Sequence, residues 1–203
     1  MSKRVYISAD YDPNNGDRRV VDELHKWGSD NLHKVEYCDT AQVASGSVSE
    51  APNCRPCDLK LEFNNQINAS SVVIFVVGDK TAYRTAGSSC KRMREGFLCS
   101  CTPYKQNANG STYCKIYGEP KTPGPFEDVS AINSYSYLEH EFRQAQKKRK
   151  QIIILYNSLY NQSSWLPSYM KDYQAVAQPF WQKNVFGQLV GNYAYIKKAL
   201  GYD

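Results

Sequence analysis

The stretch Ser71-Val72-Val73-Ile74-Phe75-Val76-Val77-Gly78 contains six consecutive apolar residues, and most of them are β-branched. A strand that is apolar at every position is covered on both faces, which is typical of a central strand in a parallel sheet. Residues 151–157, Gln-Ile-Ile-Ile-Leu-Tyr-Asn, predict a second strand of this kind. Between the two, residues 137–149 have the spacing of an amphipathic helix, so a parallel pair joined by a crossover helix is expected.

The same alternation of strands and helices extends towards both ends of the chain. Strands are predicted over 3–8 and 34–38, with a helix between them that Asp17 caps and that ends near Gly28. The pattern predicts a loop over 40–58. Further helices are predicted over 58–69 and 192–200.

This order of elements predicts a single α/β domain over residues 1–203, built on a doubly wound, flavodoxin-like parallel sheet. Ligands of such sheets bind beyond the carboxyl ends of the strands. The loops after Ser8, Asp39, Gly78 and Asn157 are therefore the candidate active edge.

Composition limits the classes of function. The chain has 203 residues, a formal charge of +5 and 41% hydrophobic residues, which suits one globular domain. The longest apolar run, 72–77, is too short to span a bilayer, and no signal-peptide pattern opens the chain, so we expect a cytoplasmic protein without membrane contact. The basic cluster 147–150 is interpreted as a solvated helix end, and nucleic-acid binding is not expected because no nucleic-acid-binding motif accompanies the charge.

Three segments resemble a known family in their order and spacing. They are KRVYISADYD (3–12), DLKLEFNNQINASSVVIFVVGDKTAYR (58–84) and SYLEHEFRQAQKKRKQIIILYN (136–157). The chain resembles the TIR-like family, specifically the bacterial branch that contains the Thoeris antiphage TIR proteins. This resemblance implies the flavodoxin-like TIR fold for the sheet described above.

The resemblance also implies a catalytic residue. In NAD-cleaving TIR domains the essential glutamate lies four residues after a tryptophan. The corresponding residues here are Tyr137-Leu138-Glu139-His140-Glu141, so the implied catalytic residue is Glu141, with Tyr137 in place of the tryptophan. Glu139 is two positions away and is expected on another face of the helix.

The implied activity is cleavage of the bond between nicotinamide and ribose in NAD, which develops oxocarbenium-like charge on the ribose. A carboxylate that holds the ribose hydroxyls would orient the sugar and stabilise that charge. Water as acceptor gives ADP-ribose, whereas an internal hydroxyl or an adenine nitrogen gives a cyclic isomer, and the sequence does not choose between them. In the Thoeris-like branch the product signals to a separate effector protein. Self-association or a triggered assembly, and a role in antiviral defence, are implied in the same way.

Weaker candidates for substrate binding come from the loops after two strands. The resemblance places Ser8, Ala9, Asp10 and Tyr11 where the family contacts the dinucleotide, and Tyr11 would stack on a base. A half-exposed loop tyrosine without a ligand is an equally good interpretation of Tyr11. Two further candidates for substrate binding, Tyr83 and Arg84, lie at the end of the segment 58–84. Arg84 would face either a phosphate or solvent.

A long insertion, residues 85–135, separates the matching segments and contains four of the seven cysteines. Cys90, Cys99, Cys101 and Cys114 would suffice for a tetrahedral zinc site, and the alternative is a set of free buried thiols. The insertion itself would restrict access to the active edge or form a surface for a partner. The pair Cys54 and Cys57 forms a CxxC motif, but its predicted place in a loop does not favour thioredoxin-like chemistry.

Two other functions fit the same fold. The first is a non-catalytic TIR-type interaction module, in which Glu141 would be dispensable and the insertion would bind the partner. The second is a phosphoacceptor receiver domain, for which Asp10, Asp12 and Asp79 are suitably placed but a lysine after the last strand is missing. Motifs for nucleotide hydrolysis, hydride transfer and esterase chemistry are absent from the sequence.

Overall fold

The computed structural model of the chain describes residues 3–10, 17–29, 35–40, 55–84, 104–106, 112–114 and 136–202. Its main feature is a five-stranded sheet in which every neighbouring pair is parallel. The structure therefore confirms the predicted α/β class and its parallel sheet.

The α-helices of the described ranges include α1 (Asp17–Gly28), α2 (Arg55–Ala69), α3 (Tyr137–Lys147) and α4 (Tyr193–Ala199). Short 3-10 helices lie at Thr81–Tyr83, Ser163–Trp165 and Ser168–Tyr173. The strands are β1 (Lys3–Ser8), β2 (Val35–Asp39), β3 (Val72–Val77), β4 (Tyr104–Gln106), β5 (Thr112–Cys114), β6 (Gln151–Tyr156), β7 (Gln178–Pro179), β8 (Trp181–Lys183) and β9 (Leu189–Gly191). The large sheet has the order β2-β1-β3-β6-β7, while β4 pairs with β5 and β8 pairs with β9 in two antiparallel hairpins.

Helices cover both faces of the large sheet. Alternate residues of each strand point to opposite faces, so each strand contributes side chains to both layers of packing. On one face Phe75 and Ile154 pack in a cluster with side chains of α2 and α3, including Phe142. On the other face Ile74 and Leu155 pack with side chains of α1 and α4. β3 is buried at all of its positions, as its apolar sequence predicts.

The bounds of some elements differ from those predicted. Helix α2 begins at Arg55, so Cys57 lies within a helix and not in the predicted loop, whereas Cys54 lies outside the described residues. Helix α3 ends at Lys147, before the predicted end at Arg149. Arg149 has a φ of 51°, a left-handed conformation that ends a helix.

The interpretation of the basic cluster 147–150 as a solvated helix end is wrong for Lys150. Its ammonium group donates to the carbonyl of Asn68 at 2.8 Å and to that of Ser70 at 2.6 Å. These carbonyls lie at the end of α2, where the backbone has no partner within the helix. Lys150 therefore caps the neighbouring helix.

Residues 158–191 contain structure that the sequence did not predict, including β7 and the β8–β9 hairpin. β7 adds only two residues to the edge of the sheet, and the hairpin follows it directly. No helix among the described residues is long and apolar enough to cross a membrane.

Candidate functional site

The candidate site lies at the carboxyl edge of the sheet. Since the strands are parallel, Ser8, Asp39, Val77 and Tyr156 end them at the same edge. Helix α3 leads into the amino end of β6 through a short turn, so its own first turn is also at this edge. The points at which the predicted loops begin therefore lie on one side of the sheet.

Glu141 occupies the inward face of α3. The buried positions of this helix are Leu138, Glu141, Phe142 and Ala145, which are spaced by three and four residues. This spacing forms one stripe on a helix, so Glu141 is placed among apolar neighbours by the same pattern that builds the core. Ser136 fixes the start of the helix, because its side chain accepts a hydrogen bond from the Glu139 N–H at 3.0 Å.

Glu141 is only 1% exposed, and two hydroxyl groups of β1 hold its carboxyl group. The Tyr6 hydroxyl donates to Oε1 at 3.0 Å, and the Ser8 hydroxyl donates to Oε2. Tyr6 and Ser8 are two positions apart on the strand, so they point to the same face. Sequence reasoning missed Tyr6, although this alternation with Ser8 was a usable signal.

Burial changes the acid–base properties of this group. Loss of hydration raises the pKa of Glu141 to about 8, although the hydrogen bonds from Ser8 and Tyr6 act in the opposite direction. A carboxyl with such a pKa exchanges its proton near neutral pH. Strongly shifted carboxyl groups are common at functional sites.

A second buried carboxyl group, Asp17, lies on the other face of the sheet at the start of α1. It is 1% exposed, and its Oδ1 accepts a hydrogen bond from the Asn157 side-chain amide at 2.8 Å. The amide oxygen of Asn157 accepts in turn from Nε1 of Trp181 at 2.7 Å. Sequence reasoning identified Asp17 only as a helix cap and missed both partners.

Asp17 is also a shifted acid. Burial raises its pKa to about 7, the hydrogen bond from Asn157 lowers it, and the charges of Asp10 and Asp79 raise it further. Arg84 has the opposite, lowering effect. Two carboxyl groups with raised pKa values therefore lie at the carboxyl edge of the sheet. Glu141 is on the face covered by α3, and Asp17 is on the face covered by α1.

The two loops that the resemblance marked as substrate-binding meet at this edge. Nε of Arg84 lies 2.7 Å from Oδ2 of Asp10, which links the loop after β3 to the loop after β1. Arg84 therefore contacts a carboxylate of the chain in this structure. Ala9 is half-buried beside the core, Tyr83 is 85% exposed, and Tyr11 lies outside the described residues.

Tyr137 is half-buried at the first turn of α3, and its ring meets that of Phe63 edge-on, with centroids 5.7 Å apart. It therefore packs between α3 and α2. Glu139 forms an ion pair with Arg143 at 2.7 Å and is 15% exposed, in contrast to Glu141. The two glutamates of α3 thus have different surroundings.

The structure does not describe the side chains of the four predicted zinc ligands, Cys90, Cys99, Cys101 and Cys114. Among the side chains that are described, no group of three or more His, Cys, Asp or Glu residues is placed to hold a metal ion. Cys38 is a free, half-buried thiol whose pKa is raised by burial.

Comparison with models of protein families gives no match for this chain, and no curated protein matches it either. The interpretation of the site therefore depends on its own chemistry and geometry.

Proposed function

We propose that the chain is a TIR-like enzyme that cleaves NAD, releases nicotinamide and produces ADP-ribose or a cyclic isomer as a signal in antiphage defence. The observation that carries the proposal is the position of Glu141. Glu141 belongs to the second turn of α3, and its carboxyl group is held beside the end of β1 by the hydroxyl groups of Tyr6 and Ser8. The residue that the resemblance marks as catalytic is thus a buried acid with a raised pKa near the carboxyl edge of the sheet.

The fold supports the same proposal. The order β2-β1-β3-β6-β7 corresponds to the order 2-1-3-4-5 of flavodoxin-like sheets when the small hairpin β4–β5 is left out. In such sheets the ligand binds where neighbouring connections leave towards opposite faces, which is between β1 and β3. Ser8 is the last residue of β1 and Asp10 follows it, while Arg84 lies in the loop after β3.

In the proposed reaction the bond between the ribose C1′ and the nicotinamide nitrogen breaks, and its electron pair leaves with nicotinamide. The ribose then carries the developing positive charge. An ionised Glu141 would hold the ribose hydroxyls in place of the hydroxyl groups of Ser8 and Tyr6 and stabilise that charge. Water, or a nucleophilic group of the ADP-ribose itself, forms the new bond to C1′ and loses its proton to solvent.

The positive nicotinamide ring also favours the ionised form of Glu141. Burial keeps this group protonated near neutral pH in the free protein. An opposite charge brought close to a carboxyl group lowers its pKa. Binding of the substrate would therefore generate the carboxylate that the reaction needs.

The test compares wild-type protein with Glu141→Gln, and uses Glu139→Gln as a matched control from the same helix. Each protein is incubated with NAD, alone and in lysate of phage-infected cells, and the products are separated by chromatography and identified by mass. We expect wild-type protein to release nicotinamide and Glu139→Gln to stay within about threefold of it. Glu141→Gln is expected to lose about 100-fold or more, the usual effect of removing a charge-stabilising group.

Circular dichroism of each variant shows whether the fold is intact. Unchanged NAD in every condition, with all proteins folded, contradicts the proposal. Equal activity of Glu141→Gln and wild-type protein contradicts the assigned role of Glu141.

The second candidate is a non-catalytic interaction module, and one observation favours it. The turn between β8 and β9 presents Val185 and Phe186, which are 94% and 83% exposed. The turn is well braced, because Oδ1 of Asn184 accepts hydrogen bonds from the backbone N–H groups of Phe186 and Gln188. A rigid turn with an apolar tip suits binding to a protein partner. If the chain is such a module, Phe186→Ser would abolish binding to the protein partner, whereas Glu141→Gln would leave that binding unchanged.

A further inference from the structure

We infer that Trp181 is the platform on which a planar ring of the dinucleotide stacks, and that Asp17 and Asn157 are positioning residues for its indole. The inference deepens the proposed function and rests on it, since it assigns a binding surface to the same edge of the sheet. The ligand chemistry is that of a mononucleotide unit, a heteroaromatic ring with a phosphate nearby.

The indole of Trp181 is held by contacts at its nitrogen and at its ring. Nε1 donates to Oδ1 of Asn157 at 2.7 Å, and Asn157 is itself fixed by its bond to Asp17. The ring of Phe180 meets the indole edge-on, with centroids 4.7 Å apart and an angle of 86° between planes. Because its only polar atom has a partner, the indole can offer its face to a ring at no cost in unpaired hydrogen bonds.

Asp17 fixes the side chain of Asn157, which in turn holds the indole of Trp181. It is buried, and it packs against the backbone of the loop after β3, where a Cβ on Gly78 would lie 2.9 Å from its Oδ1. Asp17 therefore brings together the start of α1, the end of β3 and the end of β6. An aromatic ring fixed by buried neighbours loses little entropy when a ligand stacks on it.

Trp181 remains half-buried, so part of its surface faces solvent at this edge. The guanidinium carbon of the exposed Arg19 lies 5.4 Å from the centre of the indole. A positive group already lies at this ring, as expected for the electron-rich face of tryptophan. Arg19 is also placed to pair with a phosphate when a ring takes its position.

Glu141 and Trp181 lie on opposite faces of the sheet, and the strand ends beside them are close enough for one ligand that crosses the edge to contact both. Ser8 ends β1 and Asn157 follows β6, and the two strands are separated only by β3. Neighbouring strands are about 4.8 Å apart, so these strand ends are roughly 10 Å apart. A dinucleotide can therefore place one ring on Trp181 and a ribose at Glu141.

The experiment measures binding of two probes, nicotinamide mononucleotide and AMP, by isothermal titration of Glu141→Gln protein, in which the proposed reaction is blocked. Trp181→Ala is added to this background, with Trp181→Phe as the conservative variant and Trp165→Phe as the control. We expect Trp181→Ala to weaken at least one probe about tenfold or more. Trp181→Phe should recover most of the affinity, and Trp165→Phe should leave it unchanged. The probe that responds shows which end of the dinucleotide stacks.

The positioning residue is tested by Asn157→Ala, which removes the acceptor of the indole N–H. We expect KM for NAD to rise about threefold to tenfold while kcat stays within about twofold, a division that general loss of structure would not produce. Equal binding of both probes with and without Trp181, or no binding of either, overturns the inference. Probe binding that depends on Trp181 in a protein that never cleaves NAD would support the inference and contradict the proposed function.

Discussion

The hydroxyl group of Ser8 donates a hydrogen bond to the carboxyl group of Glu141, although the two residues are 133 positions apart in the chain. Tyr6 donates to the other carboxyl oxygen from the same strand. Both bonds favour the ionised form of the acid, whereas burial favours the protonated form and has the larger effect. The state of Glu141 is therefore set by a balance that single substitutions can shift.

The first prediction concerns that balance. Removing a hydroxyl donor with Ser8→Ala or Tyr6→Phe is expected to raise the pKa of Glu141 by roughly 0.5–1 unit, because the ionised form loses a partner. Carbon NMR of the glutamate carboxyl groups measures this directly, and the acid limb of NAD cleavage should move to higher pH with it. Ser71→Ala and Tyr160→Phe are matched controls at exposed positions. A titration midpoint that stays in place or falls would contradict the assigned effect of the hydroxyl groups.

The second prediction concerns stability and pH. The folded pKa of Glu141, about 8, is above its ordinary value of 4.5, so the folded protein binds this proton more tightly than the unfolded chain. This contribution to stability is complete below pH 4.5 and is lost as pH rises to 8. Glu141→Gln removes this proton-binding site. Relative to wild-type protein, its free energy of unfolding should therefore rise by about 2 kcal/mol or more from pH 5 to pH 9.

Urea unfolding at the two pH values measures the difference, in which contributions from other groups such as Asp17 cancel. Glu139→Gln is the control, because this glutamate is partly exposed and paired with Arg143. A constant difference between Glu141→Gln and wild-type protein across this range would contradict the prediction.

The third prediction tests the contact between Gly78 and Asp17. A methyl group at position 78 would lie 2.9 Å from Oδ1 and 3.1 Å from Oδ2 of Asp17, so one of the two must move. Gly78→Ala is expected to reduce the free energy of unfolding by about 1–3 kcal/mol. Combined with Asp17→Ala, which removes the clashing carboxyl group, it should cost less than the sum of the two single changes. Strict additivity would show that the contact is not the cause.

The fourth prediction tests the cap at the end of α2. Lys150→Met keeps most of the length of the side chain but loses both bonds to the carbonyl groups of Asn68 and Ser70. We expect the free energy of unfolding, measured by heat or urea, to fall by about 1.5–3 kcal/mol, the usual value for hydrogen bonds to a charged group. Lys148→Met, at an exposed neighbouring position, should change stability by less than about 0.5 kcal/mol. Equal effects of the two changes would refute the capping role.

The parts of the fold that the sequence predicts well are those with a long, uniform pattern. β3 is an apolar run of six residues, β6 is a run of five that follows Gln151, and α3 shows the helical stripe that contains Glu141. Residues 158–191 offer no such pattern, because their strands have two or three residues and are stabilised by contacts with distant parts of the chain. One example is the bond from Nε1 of Trp181 in β8 to Oδ1 of Asn157, 24 positions earlier in the chain.

The candidate site divides in the same way. Glu141 was found through the resemblance, and Tyr6 was within reach of the alternation along β1. The pairing of Asn157 with Asp17 joins residues 140 positions apart, and no local pattern predicts it. Asp17 has the ordinary appearance of a helix-capping residue, and only the folded chain shows that it is buried beneath another loop.

The short strand β7 has a consequence for how the protein behaves at high concentration. It closes one side of the large sheet with only two residues, one of which is Pro179, a residue without a backbone N–H. A further strand from another molecule would find almost no ladder to extend there, and the chain turns away at once into β8. Of the two edge strands of the large sheet, β2 is therefore the one at which sheet-to-sheet aggregation would begin, and its one exposed side chain, Glu36, is a charge that opposes such pairing.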